Sequence, residues 1–83
     1  MPFNVYILQS EKDGSFYIGS TENIDNRLIQ HNSGLSKYTR KKTPWKIVYT
    51  ETFETRSEAM SREYFLKKQR NREFYARLIN SQK

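Results

Sequence analysis

The alternation of apolar and polar side chains predicts three β-strands. Over residues 3–9 the side chains alternate between two faces, and Asp13-Gly14, a pair typical of hairpin turns, follows. Residues 15–20 then form a second strand, antiparallel to the first. Residues 45–53 alternate again and predict a third strand. Its large side chains are expected on one face: Trp45, Ile47, Tyr49 and Phe53.

A two-residue turn at Asp13-Gly14 determines which residues of the first two strands are neighbours. In that register Ser10 pairs with Tyr17, and paired residues share a face of the sheet. We therefore expect Tyr6 and Tyr17 to project from the same face, about 13 Å apart along the strands. The opposite face would carry apolar side chains: Val5, Ile7, Phe16 and Ile18.

Helical periodicity and capping residues predict a first helix over residues 22–33. It begins after Thr21 or Asn23 and ends at Asn32 or Gly34. One side of this helix carries a narrow apolar stripe, made of Ile24 and Leu28. The adjacent side carries an i, i+4 pair, made of Arg27 and His31.

Two further helices complete the predicted fold. The segment from Thr55 to Glu58 is a capping box that opens the second helix, and Glu63 points along its apolar side. The buried stripe of that helix is predicted to contain Ala59, Met60 and Leu66. Residues 71–81 form the last helix after Asn71, with an apolar stripe of Phe74, Tyr75, Leu78 and Ile79. The order β-β-α-β-α-α predicts an α+β fold, a small three-stranded antiparallel sheet flanked by three helices.

Length, charge and cysteine content narrow the class of protein. With 83 residues, the chain is expected to form one domain over residues 1–83. The net charge of +6 favours a polyanionic partner, most simply nucleic acid. The absence of cysteine excludes disulfides and thiolate metal sites. Because no signal peptide or membrane span is predicted either, we expect a cytoplasmic protein with no membrane partner.

Five residues could carry chemistry, and each also has a structural interpretation. A carboxylate on the inner side of a helix, such as Glu63, either binds a metal or pairs with a cation such as Arg27 or Lys67. Arg27 suits a phosphate and His31 can exchange protons near neutral pH, but taken by itself an i, i+4 pair of this kind more often lies on a solvated helix face. The tyrosines, Tyr6 and Tyr17, could be core aromatics or proton acceptors; a base role requires a nearby cation that favours the phenolate.

A basic run with one aromatic residue follows the first helix. It is either a solvated loop or a nucleic-acid contact that combines phosphate binding with base stacking. Together with the net charge, we interpret it as the nucleic-acid contact. Its members are Lys37, Tyr38, Arg40, Lys41, Lys42 and Lys46.

The ordered set of these residues resembles the GIY-YIG nuclease superfamily, in particular small single-domain bacterial members related to the nuclease domain of UvrC. The second motif is intact as Tyr17-Ile18-Gly19, whereas the first, Asn4-Val5-Tyr6, keeps the tyrosine and replaces the glycine with Asn4. Further matches are Arg27 at the family arginine, His31 at the family histidine or tyrosine, and Glu63 at the metal-binding glutamate. Asn71 is the nearest candidate for an asparagine that many members carry after the glutamate.

The resemblance implies a metal-dependent endonuclease that hydrolyses phosphodiester bonds in DNA, with repair or recombination as its setting. It implies one divalent cation, Mg²⁺ or Mn²⁺, held by Glu63. Tyr17 is the tyrosine expected to help deprotonate the attacking water, and Arg27 would stabilise charge on the phosphoryl oxygens. Because the DNA-binding domain of larger relatives is absent, a protein partner could supply substrate specificity. The alternatives are a nucleic-acid-binding module that cleaves little or not at all, and an RNA-directed nuclease.

Overall fold

A computed structural model describes residues 2–35 and 37–82 of the chain. The elements follow in the order β1 (Phe3–Ser10), β2 (Phe16–Thr21), α1 (Ile24–Asn32), β3 (Trp45–Phe53), α2 (Arg56–Gln69) and α3 (Arg72–Asn80). A short 3₁₀ helix, Arg40–Lys42, precedes β3. The strands form one antiparallel sheet in the order β2-β1-β3, so the predicted α+β fold and its element order are confirmed. None of the described helices is long and apolar enough to cross a membrane.

Each of the three α-helices begins at a residue whose side chain caps it. The capping side chain accepts hydrogen bonds from backbone N–H groups that the helix itself leaves unpaired. Asn23 accepts from Asn26 N at the start of α1, which decides between the two predicted caps. Thr55 accepts from Glu58 N, which confirms the capping box of α2. At the start of α3, Asn71 Oδ1 accepts from the backbone N–H groups of the second and third following residues.

The turn between β1 and β2 is longer than the predicted two-residue hairpin. The Ser10 hydroxyl accepts hydrogen bonds from the backbone of Lys12 and Asp13, and Ser10 N donates to the carbonyl of Ser15. The loop therefore closes two residues earlier on β1, and Leu8 rather than Ser10 pairs with Tyr17. Because the register differs by an even number of residues, the predicted common face of the tyrosines is retained, while their separation along the strands is halved.

A β-bulge at Val48 changes which side chains of β3 share a face of the sheet. Ile7 pairs with Tyr49 and Leu8 pairs with Ile47, so Val48 is an extra residue without a partner on β1. The extra residue reverses the alternation between faces. The predicted single apolar face of β3 is therefore wrong: Trp45 and Ile47 pack on one side of the sheet, and Tyr49 and Phe53 on the other.

The two sides of the sheet, which we name the α1 face and the α2 face after the helices covering them, have separate cores. On the α2 face the buried residues are Val5, Ile7, Ile18, Tyr49, Ala59, Leu66 and Tyr75. On the α1 face they are Tyr6, Leu8 and Trp45, with Tyr17, Ile24, Leu28 and Ile47 packed against them. Met60 was predicted in the buried stripe of α2, but it is 53% exposed, because one residue beyond buried Ala59 is a rotation of about 100° around the helix.

Candidate active site

Tyr6 is held on the α1 face by its contact with Gly19. These two residues are direct partners in the antiparallel pair of β1 and β2, and Tyr6 is 1% exposed. A Cβ atom at Gly19 would lie 2.4 Å from the Tyr6 hydroxyl oxygen and 2.7 Å from Cζ, far inside contact distance. The glycine of Tyr17-Ile18-Gly19 is therefore required so that the Tyr6 ring can lie flat across β2.

A buried hydrogen-bonded chain connects Tyr6 to the basic loop. The Tyr6 hydroxyl lies 3.3 Å from His31 Nε2, and His31 Nδ1 lies 2.8 Å from the hydroxyl oxygen of Thr39. His31 is 2% exposed, so it does not lie on a solvated helix face. Sequence reasoning missed Thr39, which is fully buried although lysines and arginines surround it in the sequence.

Arg27 lies one turn before His31 on α1 and remains exposed. Its guanidinium is close enough to the Tyr6 hydroxyl that hydrogen bonding and charge lower the pKa of Tyr6, although burial has the larger effect and raises that pKa overall. Hydrogen bonding to Tyr6, and to a smaller extent the negative charge of Glu63, raise the pKa of Arg27. Burial, and then the positive charge of Arg27, lower the pKa of His31, so its imidazole is neutral at neutral pH.

Tyr17 lies between the buried chain and an open groove. Its ring centroid is 4.8 Å from that of His31, 6.5 Å from that of Tyr6 and 6.3 Å from that of Tyr38. The groove has a volume of about 490 Å³ and crosses the edge strand β2. Its walls are formed by Phe16, Tyr17, Ile18, Tyr38, Lys67 and Tyr75.

Glu63 reaches the edge of β2 from the other side of the sheet. The Ser20 hydroxyl donates to Glu63 Oε1 at 2.6 Å, and Lys67 Nζ lies 2.6 Å from Oε2. The carboxylate side chain is 21% exposed, so it is only partly buried, and Lys67 is its cationic partner. Although Glu63 influences the pKa values of Tyr6 and Arg27, it approaches β2 from the α2 face whereas they lie on the α1 face. Sequence reasoning missed Ser20, which directly follows the Tyr-Ile-Gly motif.

The basic run is exposed throughout and lies beside the turn between β1 and β2. Lys42 pairs with Asp13 at 3.5 Å and donates to the Ser15 hydroxyl at 3.1 Å. Hydrogen bonds from Ser15 and, to a lesser extent, the charge of Lys42 lower the pKa of Asp13 to about 2. Of the predicted nucleic-acid contacts, Lys42 is thus already paired with a carboxylate. Tyr38 is 86% exposed, which leaves its ring available for stacking.

The donor set around Glu63 fits a magnesium-type ion. Within residues 2–35 and 37–82, no group of three or more histidine, cysteine, aspartate or glutamate side chains converges on one point. Such a set does not suit zinc or calcium, which take most of their ligands from the protein. Mg²⁺, in contrast, is often bound by one or two carboxylates together with water and substrate phosphates. Glu63 would be the protein ligand.

Two residues identified through the family pattern have structural partners. Asn4, which replaces the glycine of the first motif, accepts a hydrogen bond from the Thr52 hydroxyl at 3.0 Å across β1 and β3. The Asn71 side chain caps α3, and its oxygen accepts from two backbone N–H groups. The side chain of Asn71 therefore contributes to the start of a helix.

Comparisons with known proteins identify the family of this chain. The sequence model of the GIY-YIG catalytic domain matches residues 2–77. A UPF0213 protein of Clostridium perfringens is 52% identical over 65 residues, which covers 77% of this chain and 69% of the relative. A UPF0213 protein of Bacillus licheniformis is 49% identical over 73 residues, or 84% of this chain and 74% of the relative.

A solved structure is similar over nearly the whole chain. The solution NMR structure of a UPF0213 protein from Bacillus halodurans superposes with a TM-score of 0.59 at 40% identity. The match covers 96% of this chain and 84% of that protein. With the family match over residues 2–77 and relatives that are 40–52% identical, the chain belongs to the GIY-YIG nuclease superfamily, within the small family of UPF0213 proteins.

Proposed function

We propose that this chain is a divalent-metal-dependent endonuclease that hydrolyses phosphodiester bonds in DNA, with repair or recombination as its setting. Membership of the superfamily implies a nuclease fold and a nucleic-acid substrate. The observation that carries the finer proposal is the arrangement around β2. Tyr6, Tyr17 and Arg27 lie on one side of this edge strand, and Glu63 reaches it from the other side through its hydrogen bond with Ser20.

Glu63 is the residue proposed to hold the metal ion, Mg²⁺ or Mn²⁺. When bound, such an ion polarises a phosphoryl oxygen and makes a water molecule more acidic. Within the chain, the Ser20 hydroxyl orients one carboxylate oxygen of Glu63. Lys67 neutralises the other oxygen and is exposed enough to move away and contact a substrate phosphate instead.

Arg27 is proposed to stabilise the negative charge that develops on the phosphoryl oxygens. Its guanidinium is exposed, always charged, and lies beside the Tyr6 hydroxyl. A donor already aimed at the place where charge develops lowers the barrier without reorganisation. Tyr6 contributes by positioning these groups. Because Gly19 determines where the Tyr6 ring lies, its hydroxyl stays in one place between His31 and Arg27.

Tyr17 is proposed to accept the proton of the attacking water. It lines the open groove, whereas Tyr6 is enclosed and burial raises the pKa of Tyr6. A tyrosine accepts a proton well only as the phenolate, which a nearby cation favours. The cations proposed for this role are the divalent ion at Glu63 and Arg27 on α1.

The groove and the basic run provide the proposed path of the nucleic acid. Tyr38 belongs to both and presents an exposed ring beside Tyr17. Aromatic rings next to cationic side chains bind bases by stacking and phosphates by charge, with little dependence on sequence. The proposed contacts are those of the basic run, namely Lys37, Tyr38, Arg40, Lys41, Lys42 and Lys46.

The second candidate function is a nucleic-acid-binding module with little or no cleavage. The observation that favours it is the state of Glu63, because each of its carboxylate oxygens already has a partner, Ser20 or Lys67. A metal ion must compete with the ammonium group of Lys67 for this carboxylate. An RNA-directed nuclease is the remaining alternative, since stacking and phosphate contacts suit both nucleic acids.

One cleavage experiment separates these functions. Purified protein is incubated with branched, single-stranded and duplex DNA and with RNA, in Mg²⁺, in Mn²⁺ and in chelator. We expect metal-dependent cleavage of DNA. Glu63→Gln should lose about 10³-fold in rate, since a metal contributes several kcal/mol to transition-state stabilisation, but should still bind nucleic acid.

Glu58→Gln is the matched control, because it removes the same charge from the start of α2 and glutamine still serves in a capping box. This variant should cleave normally. Binding without cleavage of any substrate would favour the binding module. Cleavage of RNA alone would favour the RNA-directed nuclease, and full activity in Glu63→Gln would remove Glu63 from the site.

A further inference from the structure

We propose that Thr39 is a positioning residue that fixes the tautomer of His31, so that the threonine hydroxyl donates to Nδ1 and Nε2–H donates to the Tyr6 oxygen. Thr39 lies outside the residues that the GIY-YIG motifs identify here. Its place in the chain from the basic loop to Tyr6 follows from the two hydrogen bonds of the His31 ring. The consequence for cleavage rests on the proposed nuclease function, whereas the tautomer does not.

The number of exchangeable protons in this buried chain limits the possible tautomers of His31. Tyr6, neutral His31 and Thr39 hold one exchangeable proton each, while two hydrogen bonds join the three side chains. One proton is therefore always left over, at one end of the chain or the other. If Tyr6 donates to His31, the leftover proton is on Thr39; if Thr39 donates to His31, it is on Tyr6.

The surroundings of the two ends decide between these arrangements. Thr39 is 0% exposed, and among the described residues His31 Nδ1 is the partner of its hydroxyl. A buried hydroxyl proton without an acceptor costs about 1–3 kcal/mol. The Tyr6 end instead lies beside Arg27, which lines a small open cavity of about 220 Å³ together with His31. There a water or a substrate oxygen can accept the tyrosine proton.

The backbone of Thr39 keeps the hydroxyl in place. Its carbonyl accepts from the indole Nε1–H of Trp45 at 2.9 Å and from the backbone of Lys42 at 3.0 Å. Trp45 is itself held to α1, because the Asn32 side chain bonds both its backbone N–H and its carbonyl. Thr39 is thus a fixed point among the exposed residues of the basic run, and its hydroxyl oxygen lies 2.8 Å from His31 Nδ1.

This arrangement makes the Tyr6 oxygen an acceptor of hydrogen bonds. His31 donates from one side, and the guanidinium of Arg27 can donate from another. The tyrosine proton is then not used by His31, and it remains available to a water or substrate oxygen that enters between Arg27 and His31. With the other tautomer, Tyr6 would spend its proton on His31 and could not act as a donor to the substrate.

The test uses the fact that His31 is the single histidine of the chain. Two-bond ¹H–¹⁵N NMR spectra of the imidazole, recorded above the pKa of His31, report which ring nitrogen carries the proton. We expect the wild type to carry it on Nε2. A wild-type proton on Nδ1 would overturn the proposal.

Variants at Thr39 separate the tautomer from simple packing. Thr39→Val keeps the shape and removes the hydroxyl, so the Nδ1–H tautomer should gain population and the cleavage rate should fall roughly tenfold, as for other groups that orient a histidine. Thr39→Ser should restore both the tautomer and the rate. Thr43→Val is the control, because its hydroxyl bonds the Arg40 carbonyl in the same loop without touching His31.

The outcomes distinguish this inference from the proposed function. A protein that cleaves nothing but carries the Nε2 proton, lost in Thr39→Val and kept in Thr39→Ser, would refute the nuclease and retain the role of Thr39. A nuclease whose tautomer is unchanged in a folded Thr39→Val variant would retain the function and refute Thr39 as its positioning residue.

Discussion

The two faces of the sheet bury side chains of different kinds. On the α2 face the most deeply buried side chains are apolar: Leu66, Ala59, Val5 and Ile7 are 0% exposed, whereas the tyrosines there, Tyr49 and Tyr75, are 7% exposed. On the α1 face the deeply buried set includes a phenol, an imidazole and a hydroxyl, those of Tyr6, His31 and Thr39. Apolar burial is favourable in itself, whereas buried polar groups are tolerated only when they are hydrogen-bonded.

The α2 face therefore contributes most of the stability of the fold, and the α1 face holds the reactive groups. Polar groups buried on the α1 face gain little net stability from their hydrogen bonds, but the bonds give each group one orientation. The α2 face can then be tightly packed without restricting the chemistry. The edge strand β2 joins the faces, with Gly19 beneath Tyr6 on one side and Ser20 bonded to Glu63 on the other.

The largest expected effect concerns activity on the α1 face. Arg27→Gln should lower the cleavage rate by about 10²–10³, the loss typical of removing one preorganised charge-stabilising donor. Because Arg27 is exposed, the free energy of unfolding should change by less than about 0.5 kcal/mol. Arg77→Gln removes the same charge from the exposed side of α3 and should cleave normally. Equal rates in the two variants would contradict the assignment of Arg27.

The next effect concerns stability on the α2 face. Leu66→Ala should lower the free energy of unfolding by about 2–5 kcal/mol in urea titrations, because it opens a cavity at a fully buried position. Tyr6→Phe, almost as deeply buried on the α1 face, should cost less, about 1–3 kcal/mol, because His31 Nε2 loses its buried partner. The cleavage rate per folded molecule should fall only in Tyr6→Phe. The reverse pattern would show that the two faces do not divide these roles.

Gly19 offers a test at the strand that both faces share. Gly19→Ala should cost about 1–3 kcal/mol, because its Cβ would lie 2.4 Å from the Tyr6 hydroxyl and must displace that ring. Gly34→Ala should cost a similar 1–2 kcal/mol for another reason, the left-handed backbone at φ +83°. Only Gly19→Ala should also shift the NMR signals of the His31 ring and lower the cleavage rate. Unchanged His31 signals in Gly19→Ala would contradict the contact.

As the pH falls below neutral, the first loss of unfolding free energy should come from His31 on the α1 face. Because burial and Arg27 hold the pKa of folded His31 below 6.5, the unfolded chain binds a proton there more readily than the folded chain. The contribution of His31 to stability is therefore complete above that pH and is lost as the pH falls through it. Urea midpoints measured at decreasing pH should show the decline in the wild type. His31→Gln should lack this slope, and its persistence there would assign it to other groups.

Local signals account for the parts of the fold that the sequence predicted well. The caps of α2 and α3 are read from Thr55 and Asn71, and each acts on N–H groups within three residues. The bulge at Val48 and the four-residue turn escaped prediction for a related reason. Both depend on how β1 accommodates its neighbours, including the Ser10 hydroxyl that replaces a hairpin hydrogen bond.

The candidate site shows the same limit more sharply. The motif residues were recognised from their order, but the groups that orient them were not. Ser20 is 43 positions from its partner Glu63, and Thr39 is separated from His31 by a loop. No periodicity links such pairs, and a serine or threonine among charged residues gives no sign of burial. Their assignment requires the folded chain.

The smallest expected effect tests whether the loop beside the α1 face touches nucleic acid. Neutralising Lys41 and Lys42 to glutamine should flatten the dependence of log binding constant on log salt by up to about 1.8 for duplex or 1.4 for single strands, the value for two phosphate contacts. Lys42 already pairs with Asp13, so Lys41→Gln alone should account for the larger share. Lys68→Gln, on α2 beside Tyr64, should leave the slope unchanged. A flatter slope in Lys68→Gln together with an unchanged slope in the double variant would place the nucleic acid on the α2 side.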